Sequence, residues 1–146
     1  MTISAKKLYL NRSYTTCSDN EAAKMVDLNR NSFRGYAKVI TDFPEADIQF
    51  KGIKAWILQG ETHQLVFFQM EANARVPEHS HDYAQWGMVI EGEMELTIEG
   101  KTRNCKKGDE YLIPAQAKHE AHFLAKSRVI DLFSEKTRYR TKPFKQ

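Results

Sequence analysis

Two histidines and a glutamine lie close together in one short stretch of the sequence. His79 and His81 are separated by one residue, and three residues separate His81 from Gln85. Side chains two apart on a β-strand point to the same face, so the two imidazoles are expected side by side, with the Gln85 amide joining them after a short turn. Such nitrogen and oxygen donors suit divalent transition metals. The stretch indicates a candidate metal site, although a His-x-His pair also occurs as two ordinary surface histidines.

A second segment supplies a third histidine. Gly108 reads as a turn before a strand, Pro114 ends that strand, and His119 begins the next one. The full order is His-x-His-x3-Gln-x6-Gly and then Gly-x5-Pro-x4-His, with the 15 residues 93–107 between the two motifs. Over about residues 49–133, this order resembles the two conserved-barrel motifs of the cupin superfamily.

The resemblance implies an all-β fold, a double-stranded β-helix of the jelly-roll type that holds one divalent metal ion, which would be Zn, Ni, Fe, Mn or Co. By the same likeness, the metal ligands are His79, His81, Gln85 and His119. The family usually has a carboxylate where this chain has Gln85. Because an amide carries no charge, these ligands leave the charge of the metal uncompensated. The site is therefore expected to attract a small anionic ligand.

Three further positions depart from the family pattern. Asn73 and Gln116 stand where the family has glycine, and Phe123 replaces an asparagine. These positions shape turns and packing more than chemistry, so the expected fold is unaffected.

The two remaining histidines are not expected to bind the metal. His122 is an odd number of residues from His119, which places it on the opposite face of a continuous strand. His63 lies where a turn is expected and is predicted to be solvated.

Within the cupins, the set of two histidines, a glutamine and a third histidine resembles the small pectin-degradation monocupins that open the ring of 4,5-unsaturated uronates. Residues 129–134 resemble the last barrel strand of those proteins, which implies that Asp131 is a general acid/base and Phe133 a wall of the pocket. The alternative for Asp131 is a structural carboxylate at the barrel end. Strand alternation adds the substrate-binding candidates Arg75, Gln69 and Tyr111.

Three classes of function remain open. The first is a metal-dependent isomerase, lyase or ring-opening enzyme that acts on a small anionic sugar or carboxylate. The second is a mononuclear metal dioxygenase, because three histidines with open coordination positions also suit O2 chemistry. The third is a non-catalytic cupin that binds or senses a small ligand.

Short strands must position these residues. Ser18 to Glu21 form a capping box, which predicts a short helix that ends near Asn29. After Gly35 the sequence consists of short β-branched and aromatic runs, and Glu99-Gly100 predicts a hairpin turn. The predicted strands are Tyr36–Ile40, Ala55–Leu58, Gln64–Met70, Gln85–Ile90, Glu93–Glu99, Tyr111–Ile113, His119–Leu124 and Arg128–Phe133.

The 146 residues suit one domain, which we divide into an N-terminal extension over 1–35, a barrel over 36–135 and a basic C-terminal tail over 136–146. The tail holds five basic residues and no acidic one, and it is expected to be solvated. Without it, 17 basic residues face 19 acidic ones, a balance that does not favour a nucleic-acid partner.

The remaining expectations concern the environment of the protein. No apolar run has the length of a secretory signal core or a membrane span, so a cytoplasmic protein without a membrane partner is expected. The spacing of Cys17 and Cys105 gives no zinc or disulfide motif, and both are predicted to be free thiols. The resemblance also implies a homodimer.

Overall fold

The computed structural model describes residues 35–143, so the helix predicted after the capping box lies outside the described residues. The described chain starts with a short helix, α1 (Lys38–Thr41). No helix in this part of the chain is long and apolar enough to cross a membrane. The strands that follow within residues 35–143 are β1 (Ile53–Gln59), β2 (Gln64–Met70), β3 (Arg75–His79), β4 (Gln85–Glu91), β5 (Glu93–Ile98), β6 (Lys101–Lys106), β7 (Glu110–Ile113), β8 (His119–Phe123) and β9 (Ser127–Phe133).

The strands form two antiparallel sheets that face each other. One sheet has the order β1-β2-β9-β4-β7 and the other the order β3-β8-β5-β6. Because consecutive strands such as β3 and β4 belong to different sheets, the chain winds between the sheets as a double-stranded β-helix. Buried side chains alternate with more exposed ones along β4 and β9, and the inward-facing residues form the core between the sheets. The expected all-β jelly-roll barrel is confirmed.

Most of the predicted strands are present, with small changes at their ends. The predicted strand Tyr36–Ile40 is wrong, because the backbone amides of Thr41 and Asp42 bond to carbonyls of the preceding turn and form α1. Tyr36 instead packs its ring edge-on against Trp56 and Phe67 of the five-stranded sheet.

Two edge strands, β3 and β6, were not among the predicted ones. Strand β3 contains Pro77, and prolines are tolerated in sheets mainly on edge strands such as this one. Strand β6 is almost entirely polar and exposed. Neither strand therefore shows the buried apolar pattern by which strands are recognised in a sequence.

The turns keep the backbone geometry that the motifs require. Glu99 and Gly100 have φ values of 48° and 73°, which confirms the predicted hairpin turn between β5 and β6. Asn73 and Gln116, at the positions where the family has glycine, also lie in the left-handed region, with φ values of 67° and 70°. Asn73 and Gln116 therefore keep the turns that glycine would make, although a positive φ is energetically costly for a residue with a side chain.

We expect Gly92→Ala to destabilise the barrel more than Gly100→Ala. Both glycines have positive φ, 90° and 73°, so each replacement by alanine costs about 1 kcal/mol from backbone strain. A Cβ at Gly92 would also lie 2.4 Å from the carbonyl oxygen of Lys126, whereas a Cβ at Gly100 meets nothing within 4 Å. Overpacking should add about 1–3 kcal/mol at Gly92 alone. Urea unfolding of the two variants measures the difference, and equal midpoints would contradict it.

Candidate metal centre

The three motif histidines meet at one end of the barrel. His79 ends β3, His119 begins β8 as its direct partner across the sheet, and His81 lies in the loop before β4. The ligand atoms of the three side chains lie within 4.8 Å of one another. The ring centroid of His119 is 4.2 Å from that of His79 and 4.9 Å from that of His81. The structure thus brings together three predicted ligands that are up to 40 residues apart in sequence.

Backbone carbonyls fix the orientation and the tautomer of each ring. The Nδ1 atoms of His79, His81 and His119 lie 2.8, 2.7 and 2.9 Å from the carbonyl oxygens of Pro77, Tyr83 and Ala117. A carbonyl oxygen only accepts hydrogen bonds, so each Nδ1 carries the proton. In a neutral ring, Nε2 then keeps its lone pair, which is the form that binds a metal.

Burial keeps two of these rings neutral. It lowers the pKa of His119 to about 4, a value to which the neighbouring His79 and His81 contribute smaller decreases. Burial also lowers the pKa of His79, with a smaller contribution from the Arg138 charge. The Nε2 atom of His119 is buried and has no hydrogen-bond partner among the described residues. A buried lone pair without a partner is costly, and a metal ion would satisfy it.

The Gln85 amide turns its oxygen towards the histidines. Its Nε2 donates to Asp131 Oδ2 at 2.9 Å, and its Oε1 lies 3.2 Å from His81 Nε2. With the proton on Nδ1, His81 Nε2 and Gln85 Oε1 both present lone pairs to each other. These two atoms therefore repel each other unless a cation lies between them. The donor set therefore fits a divalent metal held by three imidazole nitrogens and one amide oxygen.

Asp131 is held by a second hydrogen bond that crosses a strand. Tyr111 on β7 donates to Asp131 Oδ1 on β9 at 2.6 Å, although β4 runs between these two strands. The contact passes over Gly87, where a Cβ would lie 2.2 Å from the Tyr111 ring and 2.3 Å from Asp131 Oδ1. Burial raises the pKa of Asp131 to about 7, while the hydrogen bonds from Tyr111 and Gln85 oppose this rise.

A cavity of about 50 Å³ lies next to the histidines, between the two sheets. Tyr111, Phe133 and Asp131, three of the candidate site residues, line it. Most of the other lining residues are apolar and come from both sheets, including Phe68, Met70, Met94, Leu96, Phe123 and Val129. The site thus combines a few polar groups with largely water-excluding walls.

Arg138 is a site residue that sequence reasoning missed. Its Nη2 lies 3.3 Å from His79 Nε2, and its guanidinium packs over the rings of Phe133 and Tyr139. Its Nε is buried without a partner among the described residues. The expectation of a solvated tail is therefore wrong for Arg138 and Tyr139, whereas the other described residues of the tail are exposed. The aromatic residue between two arginines, six residues after the end of the last barrel strand, was the available indication that this part of the tail packs.

Two substrate-binding candidates do not reach the cavity. Arg75 is exposed and pairs with His122 across β3 and β8 on the outer face. Gln69 lies on the outer face of β2, where its Oε1 approaches Gly35. The strand register places both side chains on the outer face, so both expectations are wrong. A shift of one residue along a strand is enough to turn a side chain to the other face of the sheet.

The two other histidines lie where the sequence predicts. His122 is on the outer face, with its Nδ1 3.3 Å from Glu95 Oε2. His63 is exposed in the turn between β1 and β2, within hydrogen-bond distance of Thr62. Neither ring is part of the cluster formed by His79, His81 and His119.

The fold and the site together define a small β-barrel with a three-histidine cluster at one end of its cavity. Residues 66–133 match the family model described as a cupin domain. This match and the two motifs both identify residues 66–133 as similar to a cupin domain. A sequence comparison with curated proteins gives no match.

Similar solved structures agree with this assignment. KdgF from Halomonas sp. is 29% identical, with a TM-score of 0.60 over 67% of this chain and 92% of that chain. An RmlC-like cupin from Shewanella frigidimarina is 22% identical, with a TM-score of 0.62 over 73% of this chain and 93% of that chain. Oxalate decarboxylase from Bacillus subtilis, a protein with Mn(II) centres, is 20% identical, with a TM-score of 0.58 over 67% of this chain and 29% of that chain. The last two likenesses concern the fold alone.

We expect His81→Ala to abolish stoichiometric binding of a divalent metal and His122→Ala to leave it unchanged. The first change removes one of three converging nitrogens, whereas the second removes an imidazole from the outer face. Elemental analysis after equal loading with Ni, Zn, Mn or Fe measures the metal content. Equal loss in both variants, or a wild type that takes up none of these metals, would contradict the site.

Proposed function

We propose that the protein is a metal-dependent enzyme acting on a small anionic sugar or carboxylate, and that its reaction is the isomerisation or ring opening of an unsaturated uronate. The observation that carries the proposal is the position of Arg138, whose guanidinium lies beside the three-histidine cluster. The motif likeness to pectin-degradation cupins supports the same substrate class.

The charges of the site favour an anionic ligand. His79 and His119 are neutral at pH 7, and the proposed fourth ligand Gln85 carries no charge. A divalent metal would therefore add two positive charges beside the guanidinium of Arg138. Asp131, which is hydrogen-bonded to Gln85, offsets at most one of these charges. A bound carboxylate would reduce the repulsion between the metal and Arg138 and supply an acceptor for the arginine N–H groups.

The size of the cavity favours a small ligand. A volume of about 50 Å³ holds roughly four water molecules, since each needs about 10–15 Å³ in the same measure. This space suits a carboxylate and the adjoining part of a sugar ring, not an internal segment of a polysaccharide.

Different residues of the chain have different roles in such a reaction. When bound, a divalent metal supplies a Lewis acid that polarises a substrate oxygen. Arg138 binds and orients the substrate carboxylate, and Phe133 excludes water from the cavity. Asp131 holds or transfers the proton at its Oδ atoms, because burial gives it a pKa of about 7, near the value suited to general acid/base catalysis at neutral pH. Tyr111 and Gln85 keep that carboxyl group in place.

We expect Gln85→Glu to retain the metal but to weaken the binding of anions by about tenfold or more, because one added negative charge near the ligand costs about 1–2 kcal/mol at partial burial. Gln69→Glu adds the same charge on the outer face and is the matched control. Titration of each metal-loaded protein with galacturonate measures the affinity. An unchanged affinity in Gln85→Glu would show that the neutral amide is not what favours anions.

We expect Asp131→Asn to keep the fold and the metal but to slow turnover by about 10²–10⁴-fold, the usual contribution of general acid/base catalysis. The amide is nearly isosteric, and its oxygen still accepts the Gln85 hydrogen bond. The assay follows the loss of unsaturated-uronate absorbance at matched metal occupancy.

Full activity in Asp131→Asn would make Asp131 a structural carboxylate. A metal-loaded wild type that does not accelerate the reaction would contradict the ring-opening proposal. In that case, oxygen consumption under air would favour a dioxygenase, and anion binding without turnover a binding or sensing cupin.

A further inference from the structure

The residues after the last barrel strand form a C-terminal strap (residues 136–142) that returns along the barrel. Its far end is attached by a bridge between Thr141 and Ala46 and by a hydrogen bond from the Asp47 amide to the Arg140 carbonyl. Arg138 and Tyr139 lie near the middle of the strap and turn towards the cavity. The position of the guanidinium in the site therefore depends on what holds the strap at this point.

The side chain of Gln64 on β2 makes two hydrogen bonds to the backbone of a single strap residue. Its Oε1 accepts from the Tyr139 amide at 2.9 Å, and its Nε2 donates to the Tyr139 carbonyl at 2.9 Å. The same Nε2 donates to Gln59 Oε1 at 2.8 Å, and Gln59 in turn donates to the carbonyl of Lys136. The Gln64 amide thus pairs with Tyr139 as a neighbouring strand would.

We propose that Gln64 is a positioning residue that fixes Arg138 beside the histidine cluster. Gln64 is only 1% exposed, and burying an amide without partners is costly. Here the strap and Gln59 supply those partners, so the amide and the strap stabilise each other. The Tyr139 peptide that Gln64 holds is directly joined to Arg138, and Gln64 itself is absent from the cavity lining. Gln64 therefore acts on the ligand only through the arginine.

The consequence for ligand binding rests on the function proposed above. The metal ligands come from β3, β8, the loop before β4 and the first residue of β4, and none of them is bonded to Gln64. Of the residues proposed to bind the metal or the anion, the strap carries only Arg138. Loss of the Gln64 amide should accordingly lower the affinity for anions without removing any ligand of the metal.

Gln64→Met is the informative variant, because methionine has a similar shape and makes neither hydrogen bond to Tyr139. Gln69→Met, on the outer face of the same strand, is the matched control. The position of Arg138 is measured without any ligand from the NMR resonance of its Nε–Hε group, assigned by its loss in Arg138→Lys. In the wild type the rings of Phe133 and Tyr139 displace this resonance from the free-arginine value. We expect it to return towards that value in Gln64→Met and to stay displaced in Gln69→Met.

The second measurement is a double-mutant cycle of galacturonate affinity in the metal-loaded protein. Gln64→Met and Arg138→Met should each weaken binding by about tenfold, with equal metal content, and the double variant should be no weaker than Arg138→Met alone. Losses that multiply, or a displaced Nε–Hε resonance in Gln64→Met, would overturn the proposal. If Gln64→Met does not fold, Gln64→Asn, which keeps a neutral amide but is one methylene too short to make both bonds to Tyr139, is judged by the same two criteria. If the wild type does not bind galacturonate, the proposed function fails, and the NMR result alone decides the role of Gln64.

Discussion

The hydrogen bonds from the three histidine Nδ1 atoms to backbone carbonyls are the constraint on which the candidate site depends. Each carbonyl belongs to a residue two positions away from its histidine, so the local backbone alone sets the ring orientation and the protonated nitrogen. The antiparallel pairing of β3 with β8 then places His79 opposite His119, and the start of β4 brings in His81. The three Nε2 atoms converge because the strand ends converge.

The groups around this cluster fall into two sets with different tasks. Asp131 and Tyr111 turn the Gln85 amide so that a neutral oxygen faces the histidines, which completes a set of uncharged donors for a cation. Arg138 approaches the same point from the strap and brings a positive charge. The donors around a bound metal would be uncharged, and Arg138 is positive, so these groups do not balance the positive charge of the site. For this reason we propose that an anionic ligand binds there.

Sequence spacing predicts the features that depend on local backbone geometry. The His-x-His pair, the Gly-x5-Pro-x4-His motif and the Glu99-Gly100 turn all belong to this kind, and the structure contains each of them. The face of the sheet to which a side chain points is harder to predict from the sequence. For Gln69 this face is set by the strand register and not by the residue type.

Long-range contacts could not be predicted from the sequence. Gln64 and Tyr139 are 75 residues apart, and nothing near either residue indicates the other. Arg138 was assigned to a solvated tail for the same reason, since composition describes the charge of a segment and not the surface on which it lies. The helix α1 formed where a strand was predicted, because the segment pairs with no strand and its aromatic ring packs on a sheet instead.

The hydrogen bond that passes over Gly87 limits the order in which substitutions can accumulate in this barrel. Any side chain at this position on β4 would occupy the space of the Tyr111 ring and of the Asp131 carboxyl group. A larger residue there needs space from both the Tyr111 ring and the Asp131 carboxyl group, and a smaller residue at Tyr111 alone removes one of the two hydrogen bonds that hold Asp131. Gly87, Tyr111 and Asp131 lie on three different strands, and a substitution at one of them constrains the other two. Gly87 is the last of the three that can change.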